Sequence, residues 1–180
     1  LEHAKKMMDT IGIQTAAWVD ELLASGAKSF YKIENGISKY YDIPTKSYKK
    51  IPGLEGFILL DNLRAEKVVW SNTGATIFDI GDGVLNLEFH SKMNTMGGEV
   101  VQSINHAISL AEKNYTGLVI ANEGANFSAG ANLAMLLMFA IEQEYDEINM
   151  MIAQFQKTMM RVRYSSIPVA VSYTHLTLPT

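Results

Sequence analysis

The segment Gly124-Ala125-Asn126-Phe127-Ser128-Ala129-Gly130-Ala131-Asn132-Leu133 constrains this chain more than any other. It follows a continuous apolar run, Gly117-Leu118-Val119-Ile120-Ala121, and leads into another from Leu133 to Ile141. A buried strand, a turn of small residues and a helix start are the simplest reading. Small side chains let a ligand approach the backbone closely, and a helix N-terminus points free N–H groups at it. Such groups can stabilise an oxyanion or a carbonyl oxygen. The same spacing also suits a tight strand-to-helix connection with no ligand.

The flanking sequence places this turn in an α/β unit. Thr76–Ile80 and Val84–Phe89 alternate with period two around Gly81-Asp82-Gly83, which is hairpin chemistry. Met96, Val100, Ile104, Ile108 and Ala111 fall on one face of a helix running from Met96 to Lys113. The strand at 117–121 is near-continuously apolar, as expected when both of its faces are covered. A second helix is predicted from Asp146 to Arg163, with Ile148, Ile152, Phe155, Met159 and Val162 on one side. Its methionines, Met150, Met151, Met159 and Met160, read as core filler rather than a binding surface. Ile167-Pro168-Val169 opens a further strand.

Upstream, residues 1–27 read as helical, with Trp18, Leu22 and Leu23 as an apolar stripe and Gly26 as the stop. Two aromatic, β-prone runs then flank Asn35-Gly36, a strong hairpin signal. Tyr31, Tyr40 and Tyr41 suit cross-strand packing, with cofactor stacking as the alternative. Residues 42–66 carry Pro44, Pro52, Gly53 and Gly56 and read as a connection with a short apolar patch at 57–60. The basic run Lys46-Ser47-Tyr48-Lys49-Lys50 reads as a solvated loop, with a phosphate-binding patch as the alternative.

Composition narrows the functional classes. A net charge of −4 argues against nucleic acid as a partner. With no cysteine, there can be no disulfide, zinc–thiolate site or cysteine nucleophile. The longest apolar run has nine residues, Leu133 to Ile141, against the ~20 that a membrane helix needs. A cytoplasmic protein is the expectation. His3, His90, His106 and His175 have no metal-ligand spacing. Asn126 stands where a G-x-S-x-G nucleophile elbow needs glycine. No G-x-G-x-x-G occurs, so no nicotinamide binding is expected of these residues.

Two stretches carry a family resemblance. Val84 to Met96, VLNLEFHSKMNTM, looks like the first strand and loop of the crotonase (enoyl-CoA hydratase/isomerase) superfamily. GANFSAGANL is similar to that family's G-x-A-F-C/S-A-G-A-D-L signature, with Asn132 where many members have Asp. The resemblance implies the N-terminal half of a crotonase-type ββα fold over about residues 67–170. AWVDELLASGAKSFYKIENG and MMRVRYSSIPV extend it to bifunctional bacterial β-oxidation proteins, in which a 3-hydroxyacyl-CoA dehydrogenase carries an enoyl-CoA hydratase domain. On that pattern residues 1–50 form the tail of the dehydrogenase's helical domain and 51–66 a linker. NAD is implied only for an upstream Rossmann domain that these residues do not include.

The resemblance implies an acyl-CoA substrate, with no nucleic acid or membrane partner, and a parent that can be a homo-oligomer. The Ala131 N–H would be the first oxyanion donor, a contribution of ~3 kcal/mol. Ser128, Ala129, Gly130, Asn132 and Leu133, with Ser91, Lys92 and Met93 on a facing loop, would line the CoA thioester pocket. Lys92 would meet a CoA phosphate or stay solvated. His90 reads as a capping or packing histidine, and Glu123 as structural, because the family's acid/base pair lies later in the fold.

The last ten residues, Val171 to Thr180, depart from the family. A second glycine-rich turn, H-G-x-x-x-G-G-G, is expected after the strand begun at Pro168. The tail instead reads as one frame of a common transposase sequencing adapter. Residues 171–180 are therefore expected to be adapter-derived, the alternative being a divergent natural terminus. The second oxyanion donor and both catalytic glutamates of the pattern would then lie beyond residue 170. The expectation is an inactive fragment of an active parent, poorly soluble because sheet edge and apolar helix faces are left bare.

Overall fold

The computed structural model describes residues 1–123 and 126–172. Gly124 and Ala125 of the signature turn, and Tyr173–Thr180 of the adapter-like tail, lie outside the described residues. The chain divides into two compact units, Leu1–Ile58 and Leu59–Thr180. The division falls inside the stretch read as a linker.

The first unit has two helices and one small sheet. Helix α1 spans Glu2–Thr10 and α2 spans Ala17–Ala24. The single helix expected over 1–27 is thus broken. Gly12 takes φ +76°, a left-handed conformation that ends α1, and its neighbours Ile11 and Ile13 are β-branched. Val19 and Leu22 of α2 are buried, and the Trp18 ring packs 4.8 Å from Phe30. Strands β1 (Tyr31–Glu34), β2 (Ile37–Asp42) and β3 (Ser47–Lys50) form an antiparallel meander. The predicted hairpin is present: Asn35 and Gly36 both have positive φ, 53° and 67°, and Glu34 pairs with Ile37. Of the run read as a solvated loop, Ser47–Lys50 instead forms β3, with Tyr48 opposite Tyr41, and Lys46 stays in the turn before it. Alternation with Tyr48 facing inward suffices for an edge strand, and lysines suit its exposed side.

In the second unit a short helix, α3 (Leu60–Leu63), precedes a five-stranded sheet ordered β4-β5-β6-β7-β8. The strands are β4 (Val68–Ser71), β5 (Ala75–Gly81), β6 (Val84–Phe89), β7 (Gly117–Ile120) and β8 (Val169–Val171). The first three are antiparallel and the last three parallel. Helix α4 (Gly98–Asn114) crosses from β6 to β7, and α5 (Leu133–Ile141) with α6 (Tyr145–Arg163) crosses from β7 to β8. Asp82 and Gly83 turn the β5–β6 hairpin with φ 52° and 74°.

The core forms where the period of two meets the period of 3.6. Ile77, Leu85, Leu87, Leu118 and Ile120 point to one face of the sheet, against Val100, Ile104, Ala107, Ile108 and Ala111 of α4. Each large side chain among them contributes about 1.5–3 kcal/mol by leaving water. The opposite face is different. It buries Phe78, Asn86 and Glu88, while Val119 stays half-exposed, so β7 is not sealed on both sides as expected. Met150 and Met160 are also exposed, not core filler; only Met151 and Met159 are half-buried. Helix α5 buries none of its residues.

Candidate functional site

Parallel pairing of β6 with β7 brings their C-terminal ends to one edge of the sheet. In open α/β sheets such an edge is where ligands bind. The loop after β6, residues 90–97, and the turn after β7, ending at Asn132, meet there.

The loop is shaped by its own side chains. Ser91 Oγ donates to the Thr95 carbonyl (2.7 Å), and Thr95 Oγ1 donates to that of Lys92 (3.1 Å). Met93 and Asn94 both adopt left-handed φ, 56° and 52°. That inversion aims their backbone at the turn. The Ala129 N–H donates to the Met93 carbonyl (3.1 Å), and Ser128 Oγ donates to the Asn94 carbonyl (2.6 Å). Asn94 Nδ2 returns a bond to the Asn126 carbonyl (3.0 Å). The Met96 N–H donates to the Gly130 carbonyl (2.8 Å), the core of a parallel bridge between Met96 and Ala131.

This bridge decides the role available to Ala131. In a parallel bridge the groups of residues 130 and 132 face the partner, so the N–H of residue 131 faces away. Ala129 and Gly130 spend their N–H groups on the Met93 carbonyl and on Ser128 Oγ (3.0 Å). Among the described residues the Ala131 N–H has no such acceptor. Gly130, at φ +86°, makes the reversal that presents it. Asn132 then caps α5, its Oδ1 accepting from the Met135 N–H (3.4 Å).

The structure therefore brings Met93, Asn94 and Met96 against Ala129, Ser128 and Gly130, respectively. The side chains of Lys92 and Leu133 are exposed, the latter at 74%. His90 shares a hydrogen bond with Thr76 Oγ1 (3.0 Å), a packing role. Glu123 accepts the N–H of Leu60, the first residue of α3, so its carboxylate is structural. Beside the turn lies an apolar cavity of about 210 Å³ between the start of α4, α5 and α6. Ala131 lines it together with Met96, Val101, Met135, Ile152 and Phe155. No carboxylate is among its lining residues.

Sequence reasoning missed Asn122, which fastens the turn to β6. Its Oδ1 accepts the Phe89 N–H (2.6 Å) and its Nδ2 donates to the Phe127 carbonyl (2.6 Å). A polar residue closing an apolar strand was the available signal. Gly97-Gly98, which let the cavity reach the start of α4, was a second.

Comparison with solved structures identifies the fold. An enoyl-CoA hydratase from Bacillus halodurans superimposes with a TM-score of 0.51 at 17% identity, over 56% of this chain and 42% of that one. The chain carries the crotonase fold. The matched share exceeds what the first unit can hold, so the match extends into the second unit. No family profile matches the sequence. Among curated proteins, the "Probable 3-hydroxyacyl-CoA dehydrogenase" of Bacillus subtilis (strain 168) is 38% identical over 179 residues, 99% of this chain and 22% of that protein. A "Putative fatty acid oxidation complex trifunctional enzyme" of Rickettsia felis is 28% identical over 155 residues, 83% of this chain and 21% of that protein. The chain thus spans about a fifth of the length of these relatives. The first is named for 3-hydroxyacyl-CoA oxidation and the second for fatty acid oxidation.

Proposed function

We propose that the crotonase unit supplies one wall of the acyl-CoA site of an enoyl-CoA hydratase, within a longer β-oxidation enzyme that also oxidises 3-hydroxyacyl-CoA with NAD. The observation that carries this is the Ala131 N–H, which among the described residues has no backbone acceptor, while those of Ala129 and Gly130 beside it are bonded. Hydration of a 2-enoyl thioester places negative charge on the thioester oxygen, and a fixed backbone donor stabilises that enolate. The apolar cavity beside Ala131 suits an acyl chain. Residues 1–50 are assigned to the end of the dehydrogenase's helical domain and 51–66 to a linker, and the compartment to the cytoplasm.

Catalysis needs more than this wall. Addition of water requires a group to deprotonate it and one to protonate the α-carbon, and losing a general acid/base costs ~10²–10⁴ in rate. Glu123 is committed to α3, and the cavity lining offers no carboxylate. The 180-residue chain is therefore proposed to bind acyl-CoA weakly without turning it over. Two assays test this together. Acetoacetyl-CoA, whose enolate mimics the charged intermediate, should bind more tightly than free CoA in equilibrium dialysis, while crotonyl-CoA should not be hydrated. Equal binding of the two ligands would remove the oxyanion role, and measurable hydration would refute the inactivity.

A further inference from the structure

The first unit has a cavity of its own, lined only by residues between Ser25 and Tyr48. It is an open cleft of about 530 Å³ lined by the end of α2, the turn after it and the sheet. That size falls within the range of small-molecule sites. Lys28, Lys32, Lys46, Tyr31, Tyr41 and Tyr48 are among its lining residues, and no carboxylate is. Between residues 28 and 50 the sequence carries six lysines against Glu34 and Asp42, in a chain whose net charge is −4. Three of these six, Lys28, Lys32 and Lys46, line the cavity.

The walls are built rather than incidental. Tyr48 OH donates to the Ser29 carbonyl, pinning the turn after α2 to β3. Its ring meets Tyr41 edge-on at 5.5 Å, and Lys32 Nζ lies 4.4 Å from its centroid. Lys32 and Lys46 each hold one exposed carboxylate, Glu34 at 2.9 Å and Glu21 at 2.7 Å. Exposed pairs of this kind contribute little, so either ammonium can turn to a phosphate at small cost. Lys28 makes no ion pair among the described residues. Tyr31 is 67% exposed at the rim, an aromatic face open to stacking.

We infer that this cavity binds a phosphorylated nucleoside, the lysines taking the phosphates and Tyr31 the base. Lysine meets phosphate as a point charge, so binding weakens as salt rises. The site is independent of the crotonase reading.

Equilibrium dialysis of the whole 180-residue chain against ADP, inorganic pyrophosphate and adenosine tests it. ADP should bind saturably, pyrophosphate about tenfold more weakly and adenosine not measurably, with ADP affinity falling as salt rises. Lys28→Gln/Lys46→Gln and, separately, Tyr31→Leu should each weaken ADP about tenfold or more while far-UV circular dichroism stays unchanged. Because both variants lie in the first unit, their effect separates this cavity from any nucleotide binding at the crotonase turn. No saturable ADP binding, or ADP binding unchanged in both variants, would overturn the proposal.

Discussion

Replacing Arg64 with methionine strips the charge partner from a buried carboxylate. Glu88 sits on the sheet face opposite α4, and its side chain is 3% exposed. Arg64 reaches it with both terminal nitrogens, Nη1 to Oε2 and Nη2 to Oε1, each at 2.9 Å. The Glu88 partnership heads the causes that raise the guanidinium pKa above its ordinary value, ahead of Asp61. Removing one partner of a buried pair costs about 3–5 kcal/mol, because the other charge stays dry. Here the Arg64 side chain is 45% exposed, so water can follow it in and the figure drops to about 2 kcal/mol. For a unit of this size that lowers Tm by about 6–10 °C. Glu88→Gln leaves Arg64 free to reach solvent and should cost only about 1 kcal/mol. The double variant Arg64→Met/Glu88→Leu removes the buried charge altogether and should recover most of the loss. Urea unfolding followed by circular dichroism measures all three without the screening that guanidinium salt adds. A single Arg64→Met change within about 0.5 kcal/mol of the parent, or a larger loss in Glu88→Gln, would refute the reasoning.

Further expectations follow from other contacts. Asn122→Ala should destabilise the second unit by about 2 kcal/mol in the same urea assay, since it strands the Phe89 N–H and removes the tie to the Phe127 carbonyl. It should also abolish any preference for acetoacetyl-CoA over CoA. Gly83→Ala places a Cβ 3.0 Å from Thr116 Oγ1 at φ +74° and should cost about 1–2 kcal/mol, with a lowered melting midpoint as the readout. The Glu34 carboxyl is held down to about 2 from 4.5, first by Lys39 and then by Lys32. Its stabilising effect should be complete above pH 4.5 and fade as pH falls towards 2, seen as a carboxyl titration by carbon-13 NMR. Leu137 and Ile141 are exposed on α5, so Leu137→Glu/Ile141→Lys should reduce light scattering at equal protein concentration.

Local chemistry made much of the fold legible. Asn35-Gly36 and Asp82-Gly83 demand positive φ at consecutive positions, and both appear as two-residue hairpin turns. The α4 stripe buries the residues its period selects, Val100, Ile104, Ile108 and Ala111. What escaped depends on partners remote in sequence. Strand β3 hides because Lys46, Lys49 and Lys50 look solvated until Tyr48 finds Tyr41. Arg64 and Glu88 are 24 residues apart, and nothing in either local pattern announces their pairing. In α6 the apolar spacing is real, but Ile152 and Phe155 line a cavity instead of filling a core. At the candidate site, the turn and the loop were both visible as motifs. The left-handed pair Met93 and Asn94, which aims one at the other, was not, because neither residue ordinarily needs that conformation.

The central claim is that the Ala131 N–H is the donor that the turn presents to a thioester oxygen. Nitrogen-15 NMR of the chain titrated with acetoacetyl-CoA tests it at that atom. A saturable downfield shift of the Ala131 amide proton is expected, absent with free CoA, while the Ala129 amide, already bonded to Met93, moves little. An Ala131 amide that stays still while ligand binds, or that moves no more than its neighbours, would contradict it.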